Sequence, residues 1–337
     1  MLRFILKRLA AALPTVFGVL VVTFVMARAL PGDPAAYFAG PAATREAIEQ
    51  IRVKLGLDKS VPEQFGLYLR DMAQGDFGKS LSTGQSVGRE LITRLPASLE
   101  LVLGALLMSI AIAIPLGVMA ATRPGSWIDH AARVVTTAGV SLPAFFTGLL
   151  LIYVFYYLLG WAPAPMGRLD AFASTPPERT GFYLIDALIA GEGATFVSAV
   201  SQLVLPILTL AIFTLAPLAR MTRAAMLEVL ASDFIRTARA SGLPAAMITY
   251  RYAFRNALLP VITTLGMVFS FLLGGAVLVE KVFAWPGIGS FAIEALIASD
   301  YAPIQGFVLT MALLYVGLNL VIDILYGVID PRVGLEA

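Results

Sequence analysis

Six stretches of the chain carry no charged residue: 9–27, 101–122, 134–167, 193–219, 256–279 and 301–322. The shortest has 19 residues, which at about 1.5 Å per helical residue reaches the roughly 30 Å of a bilayer's hydrocarbon core. Six transmembrane helices are therefore expected, and the longer runs leave room for tilt or loop. Residues 31–96, between the first two runs, form a polar insert whose eight acidic and eight basic residues cancel. Within it Ile48, Ile51 and Leu55 fall at helical spacing, and Phe65, Tyr68, Leu69 and Met72 do so again after Ser60 and Pro62. Ser followed by Pro is a helix start, and Gly75-Asp76 is a stop. Two short amphipathic helices bury little core of their own, so the insert reads as an external cap or docking surface. The expected class is an all-α integral membrane protein divided into 1–30 (N-terminus and first span), 31–96 (extracytoplasmic insert) and 97–337 (five further spans).

Composition agrees: 58% of the residues are apolar and 14% charged, against about a quarter charged in soluble domains. The net charge of +2 is uninformative, but its distribution is not. Basic residues gather in alternate connections: Arg3, Lys7 and Arg8, then Arg123 and Arg133, then Arg220, Arg223, Arg236, Arg239, Arg251 and Arg255. The opposite short connections are acidic on balance, with Asp170, Glu178, Asp186 and Glu192, then Glu280, Glu294 and Asp300. The positive-inside rule places both termini in the cytoplasm. A basic start and Ala27-Arg28-Ala29 also resemble a cleaved secretory signal, but 19 uncharged residues exceed the roughly 7–15 of a signal core, and retention of the first helix is expected.

No cysteine and one histidine, His130, leave no thiolate cluster, cysteine nucleophile or multi-histidine zinc site. His130 reads as a solvated loop residue. Gly75-Asp-Phe-Gly78-Lys79-Ser80 imitates a phosphate loop but has Ala73 where a glycine is required. Within the apolar runs there is no G-x-S-x-G nucleophile elbow, no acidic pair and no G-x-x-x-G seam. Pro14, Pro115, Pro143, Pro206, Pro217 and Pro260 interrupt the runs; they are ordinary membrane-helix kinks, or they shape a pathway lined by Ser141, Thr147, Gln202, Thr263, Ser270 and Asn319.

The most informative stretch lies within a cytoplasmic loop, 225–257. Ser232 or Asp233 can cap a short helix through Phe234, Ile235, Arg236, Thr237, Ala238, Arg239 and Ala240, and Gly242-Leu243-Pro244 forms a left-handed stop. So short a helix is marginal alone in water. Its Phe234 and Ile235 call for cover from a neighbouring protein or from the bundle itself.

Phe234-Ile-Arg-Thr-Ala-Arg-Ala-Ser-Gly242-Leu, followed by Arg255-Asn256-Ala-Leu-Leu-Pro260, resembles the Glu-Ala-Ala loop of permease subunits of ATP-binding-cassette (ABC) importers, in the peptide and nickel branch. Further tags follow that branch in order: Leu30-Pro-Gly-Asp-Pro34, Leu55-Gly-Leu-Asp58, Gly75-Asp-Phe-Gly78, Arg94-Leu-Pro96 with Leu99-Glu-Leu101, Thr180-Gly-Phe-Tyr-Leu-Ile-Asp186, Trp285-Pro-Gly-Ile-Gly289 and Asp330-Pro-Arg332. The match is nearest to the first membrane subunits of dipeptide permeases. Two positions depart from the pattern: Arg236 and Thr237 replace the Glu and first Ala of the motif, and Tyr252 stands where relatives often have His.

The resemblance implies a type I importer permease fold in the bacterial inner membrane and an ATP-driven dipeptide or oligopeptide import function by alternating access, with no cofactor and no catalysis on this chain. It implies a second homologous permease subunit, two cytoplasmic ATP-binding subunits, an extracytoplasmic peptide-binding protein, surrounding membrane lipid and no nucleic acid. Coupling to the ATP-binding subunit falls to Phe234–Arg239, Gly242 and Leu243, with Arg255, Asn256 and Pro260 leading into the fifth helix. Glutathione, haem or nickel complexes are alternative cargoes. An ion-coupled secondary transporter is disfavoured by the uncharged runs and the want of internal repeats.

Overall fold

The computed structural model describes residues 2–29, 34–40, 43–54, 56–140, 142–298 and 300–329. Among them the regular structure is helical, with one isolated antiparallel bridge between Lys79 and Ser86. Five uncharged runs become long helices: α1 (Leu2–Ala29), α5 (Val87–Thr122), α9 (Gly193–Leu230), α11 (Arg255–Val282) and α13 (Tyr301–Ile329). Each holds a segment long and apolar enough to cross a bilayer. In the insert lie α2 (Pro34–Ala39), α3 (Arg45–Lys54) and α4 (Val61–Ala73).

The third run departs from expectation. It divides into α6 (Trp127–Val140), α7 (Ala144–Leu151) and a π-helical turn over Ile152–Leu158. Pro143 sits at the N-cap of α7 with ψ 142°; it has no N–H to donate, and its ring pushes the preceding residue out of the helical region. Ala144–Leu158 is classed with the shorter apolar helices, and at 1.5 Å per residue reaches only about 22 Å. The remaining helices are α8 (Tyr183–Ala190), α10 (Asp233–Ala240) and α12 (Ile288–Ile297), with a second π-helical stretch over Met247–Phe254.

The chain forms two compact units. One comprises 1–95 and 291–316. In it the Asp300 carboxylate accepts the Ser80 hydroxyl at 2.7 Å and the Leu81 and Ser82 N–H groups at 2.6 and 3.1 Å. The loop that imitates a phosphate site is thus built around a side chain of its own chain.

The other unit comprises 96–290 and 317–337, with α9 at its centre, packed by α6, α7, α8 and α11. Glycines set how closely the helices approach. A Cβ on Gly117 of α5 would lie 2.6 Å from the Thr222 Cβ and 2.8 Å from the Ala219 carbonyl oxygen of α9, and one on Gly139 of α6 would lie 2.9 Å from the Ile212 carbonyl oxygen. Ser109 and Thr214 join α5 to α9 by a 2.6 Å hydroxyl pair, so the polar atoms of this crossing are satisfied within the bundle, as burial demands. The membrane part of α5 also anchors the loops at its N-terminal end. The Trp285 indole N–H donates to the Ala97 carbonyl at 2.9 Å. The Ser98 hydroxyl donates to Glu280 at 2.5 Å and accepts from the Ile288 N–H.

Candidate functional site

Helix α9 continues for eleven residues past its uncharged run, to Leu230, and the chain then turns through Ala231 and Ser232 into α10. Ser232 occupies the N-cap with extended backbone angles, but its hydroxyl donates back to the Val229 carbonyl at 2.6 Å and makes no cap bond. The expected serine cap is therefore spent on closing the last turn of α9.

One face of α10 is seated. Ile235 and Ala238 are buried in an apolar cluster with Val118 and Ala121 of α5, Ala225 and Met226 of α9, and Ile248, Ala253 and Ala257 beyond the loop. Burying an isoleucine side chain contributes about 1.5–3 kcal/mol, which explains how eight residues hold a helix. The other face is open: Phe234 is 45% exposed, and Arg236, Thr237 and Arg239 are exposed. Arg236 pairs with Asp233 one turn earlier. The cover that Phe234 and Ile235 call for is thus divided, with Ile235 sealed by the bundle and Phe234 left outward.

The helix ends as a glycine stop requires. Gly242 has φ +72°, its N–H reaches the Arg239 carbonyl at 3.0 Å, and the Leu243 N–H reaches that of Ala238 at 3.3 Å, which is the Schellman pattern. Leu243 packs against the same cluster. Beside it a cavity of about 590 Å³ is lined by Ala121, Pro124, Leu227, Leu230, Arg239 and Ile248, among others. The π-helical stretch then delivers the chain to Arg255 and Asn256, both exposed, and Asn256 donates to the Tyr252 carbonyl at 2.7 Å. Pro260 is exposed on the next turns of α11.

The expected pathway residues separate. Thr263 and Ser270 share one face of α11 with the exposed Met267, Phe271 and Gly274; Thr263 meets the Tyr326 hydroxyl, and Ser270 bonds back to Gly266 at 3.1 Å. Thr147 and Asn319 are half-buried, with the Thr147 hydroxyl directed to the Pro143 carbonyl. Gln202 is instead buried inside the second unit, its amide nitrogen without a partner among the described residues. Ser141, most of Leu30–Pro34, Leu55 and residues 330–332 lie outside the described residues.

Two charge clasps were not anticipated. Asp129, on the first turn of α6 and 1% exposed, accepts from Arg223 of α9 at 2.7 and 2.9 Å and from the Gly125 N–H at 3.0 Å. This places a tie on α9 nearly three turns upstream of α10. His130, expected in a loop, is on the same turn, exposed, with its Nδ1 3.0 Å from Arg133. The second clasp is Glu100 of α5 with Arg168 at 2.7 Å, both buried. Glu100 also accepts the Leu184 N–H at 2.9 Å, and Arg168 also donates to the Gly181 carbonyl and lies over the Tyr183 ring. In the same loop Asp186 is buried, which raises its carboxyl, yet the Thr180 hydroxyl and three backbone N–H groups outweigh this and hold it below its usual value.

The hydrogen bond from Arg223 chiefly, then that from Gly125, lowers the Asp129 carboxyl from 3.8 to about 2. A depressed carboxylate contributes stability above its unfolded value and loses it as pH falls through the folded one. The difference in thermal stability between wild type and Asp129→Asn is therefore expected to stay constant from pH 8 down to about 4.5 and to vanish between about 4 and 2. A difference already fading at pH 6 contradicts this assignment.

Residues 113–335 match the family model described as the binding-protein-dependent transport system inner membrane component, and residues 1–102 match that of the N-terminal part of such membrane components. The chain is 47% identical to the probable D,D-dipeptide transport system permease protein DdpB of Escherichia coli K12, covering 95% of this chain and 94% of that protein. It is 45% identical to the di/tripeptide transport system permease protein DppB of Pseudomonas aeruginosa, with 99% of each covered. Among solved structures, an inward-facing form of the MetNI methionine ABC transporter superposes with a TM-score of 0.53 at 17% identity, over 71% of this chain and 96% of that one. At that identity the likeness speaks to the fold alone.

Proposed function

Since the chain belongs to the family of inner membrane components of binding-protein-dependent transport systems, we propose that it forms half of the translocation pathway of an ATP-driven importer of dipeptides and short peptides. The observation that carries this reading is α10: a short helix clamped by Ile235 and Ala238 that turns Phe234, Arg236, Thr237 and Arg239 outward, on a chain lacking a phosphate loop. A surface of that kind serves to receive force from another protein. The peptide cargo is supported by the names of the relatives, which are di- and tripeptide permeases.

In this reading a second, homologous permease subunit completes the pathway, an extracytoplasmic binding protein delivers peptide, and two cytoplasmic ATP-binding subunits hydrolyse ATP. When those subunits close, α10 is carried with them. Helix α9, 38 residues and about 57 Å long, acts as the lever, and the Asp129–Arg223 clasp makes α6 follow it. The spans then rock between inward-open and outward-open states. Thr263 and Ser270, on the open face of α11, are the pathway residues this arrangement favours; Gln202 faces the bundle instead.

The topology that goes with it has six crossings, the third made by the uncharged end of α6 beyond Arg133, α7 and the turn after them, with both termini cytoplasmic and the insert outside. Single cysteines at Ser60 and Ser241, in a chain without cysteine, are expected to react from opposite sides of the membrane. Labelling of both in intact cells by an impermeant external reagent overturns the topology and with it the placement of α10 against ATP-binding subunits.

A further inference from the structure

The insert helix α4 has two faces. Val61, Phe65, Tyr68, Leu69 and Met72 recur at helical spacing on one, and Glu63, Arg70 and Asp71 lie on the other. Its apolar face is laid against α1. The Phe65 ring centroid is 4.9 Å from that of Phe24 and 6.1 Å from that of Phe17. The Tyr68 ring is 5.6 Å from Phe24, and its hydroxyl lies 3.1 Å from that of Thr23. At the helix start, Arg28 donates twice to the side-chain Oε1 of Gln64, at 3.0 and 2.8 Å.

Those partners fix a depth. The apolar segment of α1 ends at Met26. Phe24 is two residues inside that end and Phe17 nine, so the Phe65 ring sits between about 3 and 13 Å below it along the axis. Arg28, just past Met26, marks the headgroup level. A helix that touches a membrane span at such depths cannot stand wholly in water above it. The α1 surface it crosses is itself open, with Leu13 66% and Phe17 52% exposed. No residue of α4 is buried, and Val61 is 60% exposed, so α1 covers only part of the apolar face.

We infer that α4 is a membrane-interface helix: its free apolar edge lies among phospholipid acyl chains in the leaflet reached by the C-terminal end of α1, and Glu63, Arg70 and Asp71 face headgroups and water. The uncovered edge is continuous with the lipid-facing surface of α1, and the burial depth of about 5–10 Å typical of interfacial helices matches the contacts to Phe24 and Phe17. This revises the sequence-based view of the insert as an external cap. It rests on α1 spanning the membrane, not on the identity of the cargo or of the partner subunits.

The test uses nitroxide labels on single cysteines at Val61, Leu69 and Arg70, with Leu13 of α1 as the lipid reference. The full chain is reconstituted in phosphatidylethanolamine–phosphatidylglycerol bilayers. Collision with oxygen, which concentrates in lipid, is compared with collision with a water-soluble nickel complex. Val61→Cys and Leu69→Cys labels are expected to favour oxygen several-fold, as Leu13→Cys does, and the Arg70→Cys label to favour nickel. Nickel-favouring labels at both Val61 and Leu69 overturn the proposal in favour of a water-exposed cap; labels there shielded from both collision partners overturn it in favour of a protein-covered surface. Nickel accessibility at Leu13 as well overturns the membrane placement of α1, and so separates that failure from failure of the α4 inference.

Discussion

Replacing Arg168 with leucine is expected to cost the fold about 3–5 kcal/mol, the range for breaking a buried ion pair from one side. Arg168 and Glu100 are 7% and 5% exposed, 2.7 Å apart, and water cannot replace the guanidinium once it is gone. The loss reaches beyond the pair, because Glu100 also holds the Leu184 N–H at the first turn of α8, and Arg168 the Gly181 carbonyl. Adding Glu100→Gln to the same chain is expected to recover part of the stability: the stranded charge disappears while an oxygen stays to accept from Leu184. Thermal unfolding of the purified single and double variants measures both. A single variant within about 1 kcal/mol of wild type, the scale of a surface pair, contradicts the assignment.

Gly242→Val is expected to separate assembly from work. A Cβ at Gly242 meets nothing within 4 Å, so the substitution introduces no clash, and its whole effect comes from φ +72°. Holding a non-glycine residue there costs about 1–2 kcal/mol, and β-branched residues suffer most. The bundle tolerates that amount, but a docking equilibrium shifts about five- to thirty-fold, since 1.4 kcal/mol is tenfold. The variant is expected to insert and to assemble with its partner permease normally, while peptide uptake and peptide-stimulated ATP hydrolysis fall together by up to that factor. Gly242→Asn is expected to lose less, because asparagine tolerates the left-handed region. Normal assembly with wild-type uptake in the valine variant reduces the glycine stop to loop punctuation.

The helical class was legible because the bilayer imposes one length on every crossing, and five of the six uncharged runs answer to it as single helices. The division of the third run is not legible from its lack of charge, which does not distinguish a continuous helix from two pieces; Pro143 is the one local signal of it. The glycine stop at Gly242 was legible since Gly-Leu-Pro has few other physical uses. Which side of α10 is sealed followed only once Val118, Met226 and Ile248 were placed around Ile235, and those residues are far apart in the chain. The clasps were illegible for the same reason: Asp129 and Arg223 are 94 residues apart and Glu100 and Arg168 are 68, and nothing local marks a charge as paired. The glycine tag after Trp285 gains a physical reason only in three dimensions, since the Ser290 N–H reaches Glu280 at 2.8 Å and a Cβ on Gly289 would lie 2.9 Å from the same carboxylate.

That this chain provides a path and a docking surface while ATP is consumed elsewhere is put to the test by peptide uptake into liposomes that contain the chain with its partner permease, supplied with the binding protein on one side and the ATP-binding subunits on the other. Uptake is expected only when all components and ATP are present, and the chain purified alone is expected to hydrolyse no ATP. Uptake driven by an ion gradient without the ATP-binding subunits, or hydrolysis that follows this polypeptide through purification, contradicts the account.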